Sequence, residues 1–124
     1  RLKLREINGR TFELIYYRRK NIKGSRYSDY VIVPLEEPDS MKTVCRDIFG
    51  IKAVVRKNRM LYLLKNARIH IDVVKGLGTF VEFEVIVTQG KRQANRLMKL
   101  LIAEFGIKKR AVIAGSYIDL VLSK

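Results

Sequence analysis

From Phe80 to Thr88 the chain alternates strictly at its centre, with Glu82 and Glu84 on one side and Val81, Phe83 and Val85 on the other. A period of two marks a β-strand. Such a strand belongs in a sheet with one polar and one apolar face. The same parity recurs elsewhere. Arg1, Lys3 and Arg5 oppose Leu2 and Leu4, Lys57 pairs with Arg59, and Arg68, His70 and Asp72 share a face. A sheet with one wet side and one packed side explains any single strand of this kind.

Two further features constrain the chain. The charged faces are of one sign on each basic strand, and basic and acidic strands would belong to one sheet. Closing that sheet on its charged face makes a polar interior and turns the apolar face outward, where helices can cover it. The expected fold is therefore α+β, an antiparallel closed β-barrel with helices packed outside. Two helices fit. One starts at Pro38-Asp39-Ser40, with Asp39 or Ser40 as cap, carries Met41, Val44, Cys45, Ile48 and Phe49 at helical spacing, and stops at Gly50. The other runs from Lys91 to Phe105, with Leu97, Met98, Leu101, Ile102 and Phe105 as its apolar stripe and Gly106 as its stop.

The remaining strands are read from local signals. Residues 1–7 and Thr11–Tyr17 flank Asn8-Gly9, a strong hairpin turn. A basic loop over residues 18–26 leads to a strand from Tyr27 to Val33. Two strands are expected at about Lys52–Arg59 and Met60–Leu64, and another at Arg68–Val74. The stretch Ala111–Leu122 reads as strand, then helix. At 124 residues the chain is expected to be a single domain.

Charge points to the partner. Lys and Arg total 26 against 12 Asp and Glu, an excess that favours polyanions. Residues 1–26 hold nine basic and two acidic residues, and residues 48–71 hold six basic and none acidic. A generic solvated surface mixes its signs more evenly. An interior lined with cations repels itself unless an anion compensates. A triphosphate with Mg²⁺ or Mn²⁺ would do so, the cations holding phosphate oxygens and Asp72, Glu82 and Glu84 holding the metal. The same acids could instead only neutralise neighbouring Lys and Arg, and spacing alone does not choose. The lone His70 is left without an assigned role. Cys45, the single cysteine, reads as a small core residue and fits a reducing, cytoplasmic setting. No apolar run reaches the roughly 18 residues of a membrane span, so no membrane partner is expected.

The run from Ile69 to Glu84, IHIDVVKGLGTFVEFE, resembles the signature of CYTH domains, the triphosphate tunnel metalloenzymes, which include class IV adenylyl cyclases and thiamine triphosphatases. Lys57-Asn58-Arg59, Lys3-Leu4-Arg5 and Ser116-Tyr117-Ile118-Asp119-Leu120 extend the resemblance in matching order over nearly the whole chain. It implies a closed barrel with a charged tunnel, a triphosphate substrate and a carboxylate-held divalent metal. By position it makes Lys3, Arg5, Lys57 and Arg59 phosphate ligands and places Asp72, Glu82 and Glu84 at the metal. Arg26 matches another basic position and Arg18 is a looser candidate; strand parity adds Arg68. The family's opening Glu-x-Glu-x-Lys strand is not matched, since the sequence begins after that point, and Ser28-Asp29-Tyr30 stands where many relatives carry Arg followed by acids. The expected activity is hydrolysis of an inorganic, thiamine or nucleoside triphosphate, or cyclisation of ATP. The alternative is a non-catalytic module for polyphosphate, nucleotide or RNA, with Tyr16, Tyr17, Tyr27 and Tyr30 beside basic residues. Nucleic acid thus ranks second as a partner, and a homodimer stays open.

Overall fold

The computed structural model describes residues 1–19 and 23–124; the middle of the expected basic loop lies outside them. In chain order the elements are β1 (Leu2–Ile7), β2 (Thr11–Arg18), β3 (Asp29–Pro34), α1 (Pro38–Phe49), β4 (Lys57–Leu64), β5 (Ala67–Val74), β6 (Gly78–Val85), α2 (Gly90–Glu104) and α3 (Tyr117–Leu122), with a short 3-10 turn at Lys109–Ala111 before α3. The α+β class and the antiparallel pairing are as expected, and the ladders form two three-stranded sheets, β1-β2-β3 and β4-β5-β6. Each belongs to its own compact unit, β1–β3 with α1 and β4–β6 with α2 and α3.

In the first unit the β1–β2 hairpin turns at Asn8 and Gly9, both at positive φ (54° and 65°), in a tight turn closed by the Arg10 N–H on the Ile7 carbonyl at 3.0 Å; Ile7 then pairs with Thr11, so three residues join the strands. The register sets Lys3 beside Ile15 and Arg5 beside Glu13 on one face, and Leu4 beside Leu14 and Val33 on the other. Ile15 is the buried residue of this sheet. Helix α1 begins at Pro38, earlier than a cap at Asp39 or Ser40 would allow. Pro38 occupies its first turn and Glu37 caps it without a side-chain bond, because the fixed φ and missing N–H of proline suit the first helical position. No residue of α1 is buried and Cys45 is only half-buried, which corrects the reading of Cys45 as a core residue.

The second unit holds most of the core. The β4-β5-β6 meander packs one face under α2: Ala67, Ile69, Leu97 and Leu101 form the buried cluster, flanked by Phe83 and Val85. The Phe83 ring meets Phe105 edge-on at 5.0 Å. Asn66, in the β4–β5 turn, donates to the Ile86 carbonyl at 2.7 Å and exchanges hydrogen bonds with Gln93, tying the turn to the start of α2.

Two expectations fail here. The two strands expected at Lys52–Arg59 and Met60–Leu64 are one, β4, which starts only at Lys57, opposite Val74; before it a single bond, from the Lys75 N–H to the Arg56 carbonyl at 2.8 Å, ends the pairing as β5 turns away. The strand expected after Ala111 does not form either. The 3-10 turn and then α3 take that stretch, α3 opened by a capping box in which Ser116 and Asp119 satisfy each other's backbone N–H.

Replacing Leu101, 2% exposed, with Ala should lower the unfolding free energy by about 3 kcal/mol. Replacing Leu100, 51% exposed, should cost less than about 0.5 kcal/mol. Urea denaturation of the two variants measures the contrast.

Candidate functional site

The face of β4-β5-β6 away from α2 carries the charges, and the register arranges them in rows. Arg59, Asp72 and Phe80 are directly opposite one another, then Leu61, His70 and Glu82, then Leu63, Arg68 and Glu84. Lys57 lies on the same face one row before Arg59. Strand parity alone puts all these residues on one side.

Asp72 is at the centre and fully buried. Arg59 grips it with two parallel bonds, Nε to Oδ1 and Nη2 to Oδ2, both 2.7 Å. The Tyr117 hydroxyl donates to Oδ2 at 2.7 Å, and the Lys57 ammonium is 3.8 Å away. Burial pushes the Asp72 carboxyl up, but the Arg59 and Tyr117 hydrogen bonds and the charges of Arg59 and Lys57 outweigh it and hold the group below its ordinary value. The Tyr117 hydroxyl is pushed well above the ordinary phenol value, by burial first and then by its bond to Asp72. Its ring packs on Phe80 at 5.2 Å and lies under the Lys57 ammonium at 5.0 Å.

In the next row buried His70 brings Nδ1 to 3.2 Å from Glu82 Oε1, and Arg59 Nη2 is 3.9 Å from the same oxygen. The His70 hydrogen bond is the main cause that holds the Glu82 carboxyl below its ordinary value, with Arg59 assisting against burial. In the third row Arg68 Nε is 3.9 Å from Glu84 Oε1. Glu82 and Glu84 keep 46% and 39% of their side chains exposed.

The structure thus gathers Lys57, Arg59, Asp72 and Glu82 into one cluster, with Arg68 and Glu84 at its edge. Lys3 and Arg5 share the equivalent charged face of the β1-β2-β3 sheet, where Arg5 Nε donates to Glu13 at 3.0 Å and Lys3 lies 5.2 Å from the Tyr17 ring. Arg18 points to the other face of that sheet, with Leu14 and Tyr16. Arg26 is half-buried outside any strand.

For a metal, the donors divide. Among the described residues no three of His, Cys, Asp and Glu converge as a metal site. Glu82 and Glu84, two residues apart on one strand and half-exposed, offer oxygens suited to a hard cation. Asp72 does not fit, because it is fully buried and its two oxygens already face Arg59, Tyr117 and Lys57. Sequence reasoning assigned no role to Tyr117 or His70. The signals for Tyr117 were its place in the Ser116–Leu120 stretch that carries the family resemblance and the Ser-x-x-Asp box, which sets it at the first position of a helix.

The sequence profile of the CYTH domain matches residues 1–117. The chain belongs to the CYTH family. A Methanocaldococcus jannaschii protein named "Putative adenylate cyclase MJ0240" is 29% identical in a match that covers 96% of this chain and 69% of that one. Among solved structures, the PH1012 protein of Pyrococcus horikoshii OT3 shares the fold with a TM-score of 0.81 at 21% identity, over 96% of this chain and 73% of that one. The PH1819 protein of the same organism gives 0.65 at 27%, over 98% and 71%. These matches bear out the resemblance carried by the IHIDVVKGLGTFVEFE run. Among the described residues no helix is long and apolar enough to cross a membrane.

The lowered Asp72 carboxyl fixes a sign. A carboxyl held low in the folded state stabilises the fold fully above its unfolded value of about 3.9. That stability is lost as pH falls through the lower folded value. Denaturation midpoints measured from pH 6 down to strong acid should therefore fall steeply for the parent protein and more shallowly for Asp72→Asn.

Proposed function

We propose that this CYTH protein binds a triphosphate-containing small molecule and breaks one of its phosphoanhydride bonds with the help of a divalent cation. The observation that supports this reading is the charged face of β4-β5-β6, where the cations Lys57, Arg59 and Arg68 line up beside the half-exposed pair Glu82 and Glu84. Chemistry of this kind needs little beyond positioning and charge neutralisation. Arg59 can meet phosphate oxygens with planar geometry, and Lys57 and Arg68 add charge on either side. In the first unit Lys3, Arg5, Arg18 and Arg26 are further phosphate ligands on the ground of the family resemblance. Glu82 and Glu84 would hold Mg²⁺ or Mn²⁺, which when bound neutralises phosphate charge and polarises a phosphate oxygen. His70, bonded to Glu82, fixes the orientation of that carboxylate.

Two outcomes share this apparatus. Attack by water releases phosphate. Attack by a ribose hydroxyl on the α-phosphorus forms the cyclic nucleotide, with loss of the hydroxyl proton and departure of pyrophosphate. The name of the Methanocaldococcus jannaschii relative favours the second; the first needs no pocket for a base. We place the activity in the cytoplasm, in keeping with the single unpaired cysteine.

The test is to incubate the full protein with tripolyphosphate, thiamine triphosphate, ATP and GTP, with Mg²⁺ or Mn²⁺ or with EDTA, and to follow phosphate, pyrophosphate and cyclic nucleotide. Metal-dependent product is expected from at least one substrate. The Glu82→Gln, Glu84→Gln double variant should retain its circular dichroism and lose about 100-fold in turnover. If tripolyphosphate binds but no substrate turns over, the protein is a binding module and the enzymatic reading fails.

A further inference from the structure

Within that reading, the residue most in need of a new role is Asp72. The family resemblance places it at the metal with Glu82 and Glu84, yet it is the most enclosed charged group described, at 0% exposure. An ionised carboxylate can be buried at this depth only if its charge is paired and its oxygens are bonded. Both conditions are met from within the protein: Oδ1 takes Arg59 Nε, and Oδ2 takes Arg59 Nη2 and the Tyr117 hydroxyl. A cation would have to reach a fully enclosed group against the charges of Arg59 and Lys57. The register makes the two-pronged Arg59 bond structural, because Arg59 and Asp72 are directly opposite on adjacent strands.

Arg59 gains from the arrangement. Its side chain is 25% exposed, and Asp72 occupies the Nε–Nη2 edge of the guanidinium. Nη1 makes no hydrogen bond among the described residues. A guanidinium held along one edge presents the other in a fixed plane. Tyr117 completes the frame: its hydroxyl fixes Asp72, and its ring lies against Phe80 and under Lys57. We propose that Asp72 and Tyr117 are positioning residues that lock Arg59, with Lys57 beside it, into the geometry that receives a phosphate, and that Asp72 is not a metal ligand.

This inference rests on the triphosphate reading, so binding of two probes is measured separately. One is tripolyphosphate in EDTA, by calorimetry. The other is Mn²⁺ without anion, by electron paramagnetic resonance. Asp72→Asn removes a negative charge beside a phosphate site, so electrostatics alone would tighten the anion. We expect the reverse, a metal-free tripolyphosphate affinity about tenfold weaker, the loss of roughly one charge-assisted bond, with Mn²⁺ affinity unchanged. Tyr117→Phe keeps the charge and should weaken the anion about threefold, the worth of a neutral hydrogen bond, again with Mn²⁺ unchanged. It serves in place of Asp72→Asn should that variant fail to fold. The overturning result is equal or tighter anion binding in either variant, or Mn²⁺ affinity lost with anion affinity kept. Should the parent protein bind no tripolyphosphate, the functional reading fails. The Arg59 Nε–H resonance would still report the lock, being slow to exchange in the parent and fast in Asp72→Asn if the anchoring is real.

Discussion

One carboxylate organises the charged side of the second unit. Asp72 is fully buried on the middle strand of its sheet, so it must be neutralised locally. Arg59 on one side, Tyr117 from the C-terminal helix and Lys57 nearby do this together. The charge pair is not a large source of stability in itself, since desolvating two ions offsets most of their attraction. Its value lies in specification. Removing either partner strands the other in a dry environment, so the strand register, the Arg59 rotamer and the docking of α3 are fixed as one arrangement.

From that anchor the rest of the face can be understood as a gradient. Asp72 is sealed, His70 is buried but bonded to the half-exposed Glu82, and Glu84 reaches Arg68 at the edge. Two cations, Lys57 and Arg59, thus face one carboxylate at the Asp72 end, whereas Glu82 and Glu84 outnumber Arg68 at the other. A phosphate would be received best at the cationic end, beside Lys57 and Arg59, and a counter-cation at the acidic end, beside Glu82 and Glu84. On the opposite face α2 supplies an ordinary apolar core.

Much of this could be read from the sequence, for local reasons. Alternation at Glu82 and Glu84 and at Arg68, His70 and Asp72 needs only neighbouring residues to be visible, and Asn8-Gly9 announces its turn by backbone preference alone. Helix α2 is legible because its stripe, Leu97, Met98, Leu101, Ile102 and Phe105, recurs at helical spacing. What periodicity does not carry is the partner across the strand. The pairing of Asp72 with Arg59 rather than with Glu82 and Glu84 depends on the length of the β4–β5 turn. The approach of Tyr117 depends on a segment 45 residues further along. The start of β4 was misplaced because it is set by where β5 turns, and Cys45 because an amphipathic helix does not reveal how deeply it will pack.

The position of Asp72 in the middle of β5 also limits how such a sequence can diverge. Residues on this strand serve two masters in alternation: Ala67, Ile69 and Ile71 toward the helix, Arg68, His70 and Asp72 toward the charges. A single inserted or deleted residue between Ala67 and Asp72 would exchange the two sets, sending the carboxylate into the apolar core and isoleucines among the cations. Length changes in descendants of this chain should therefore collect in the turns, Lys75 to Leu77 above all, while β5 itself drifts only by substitution.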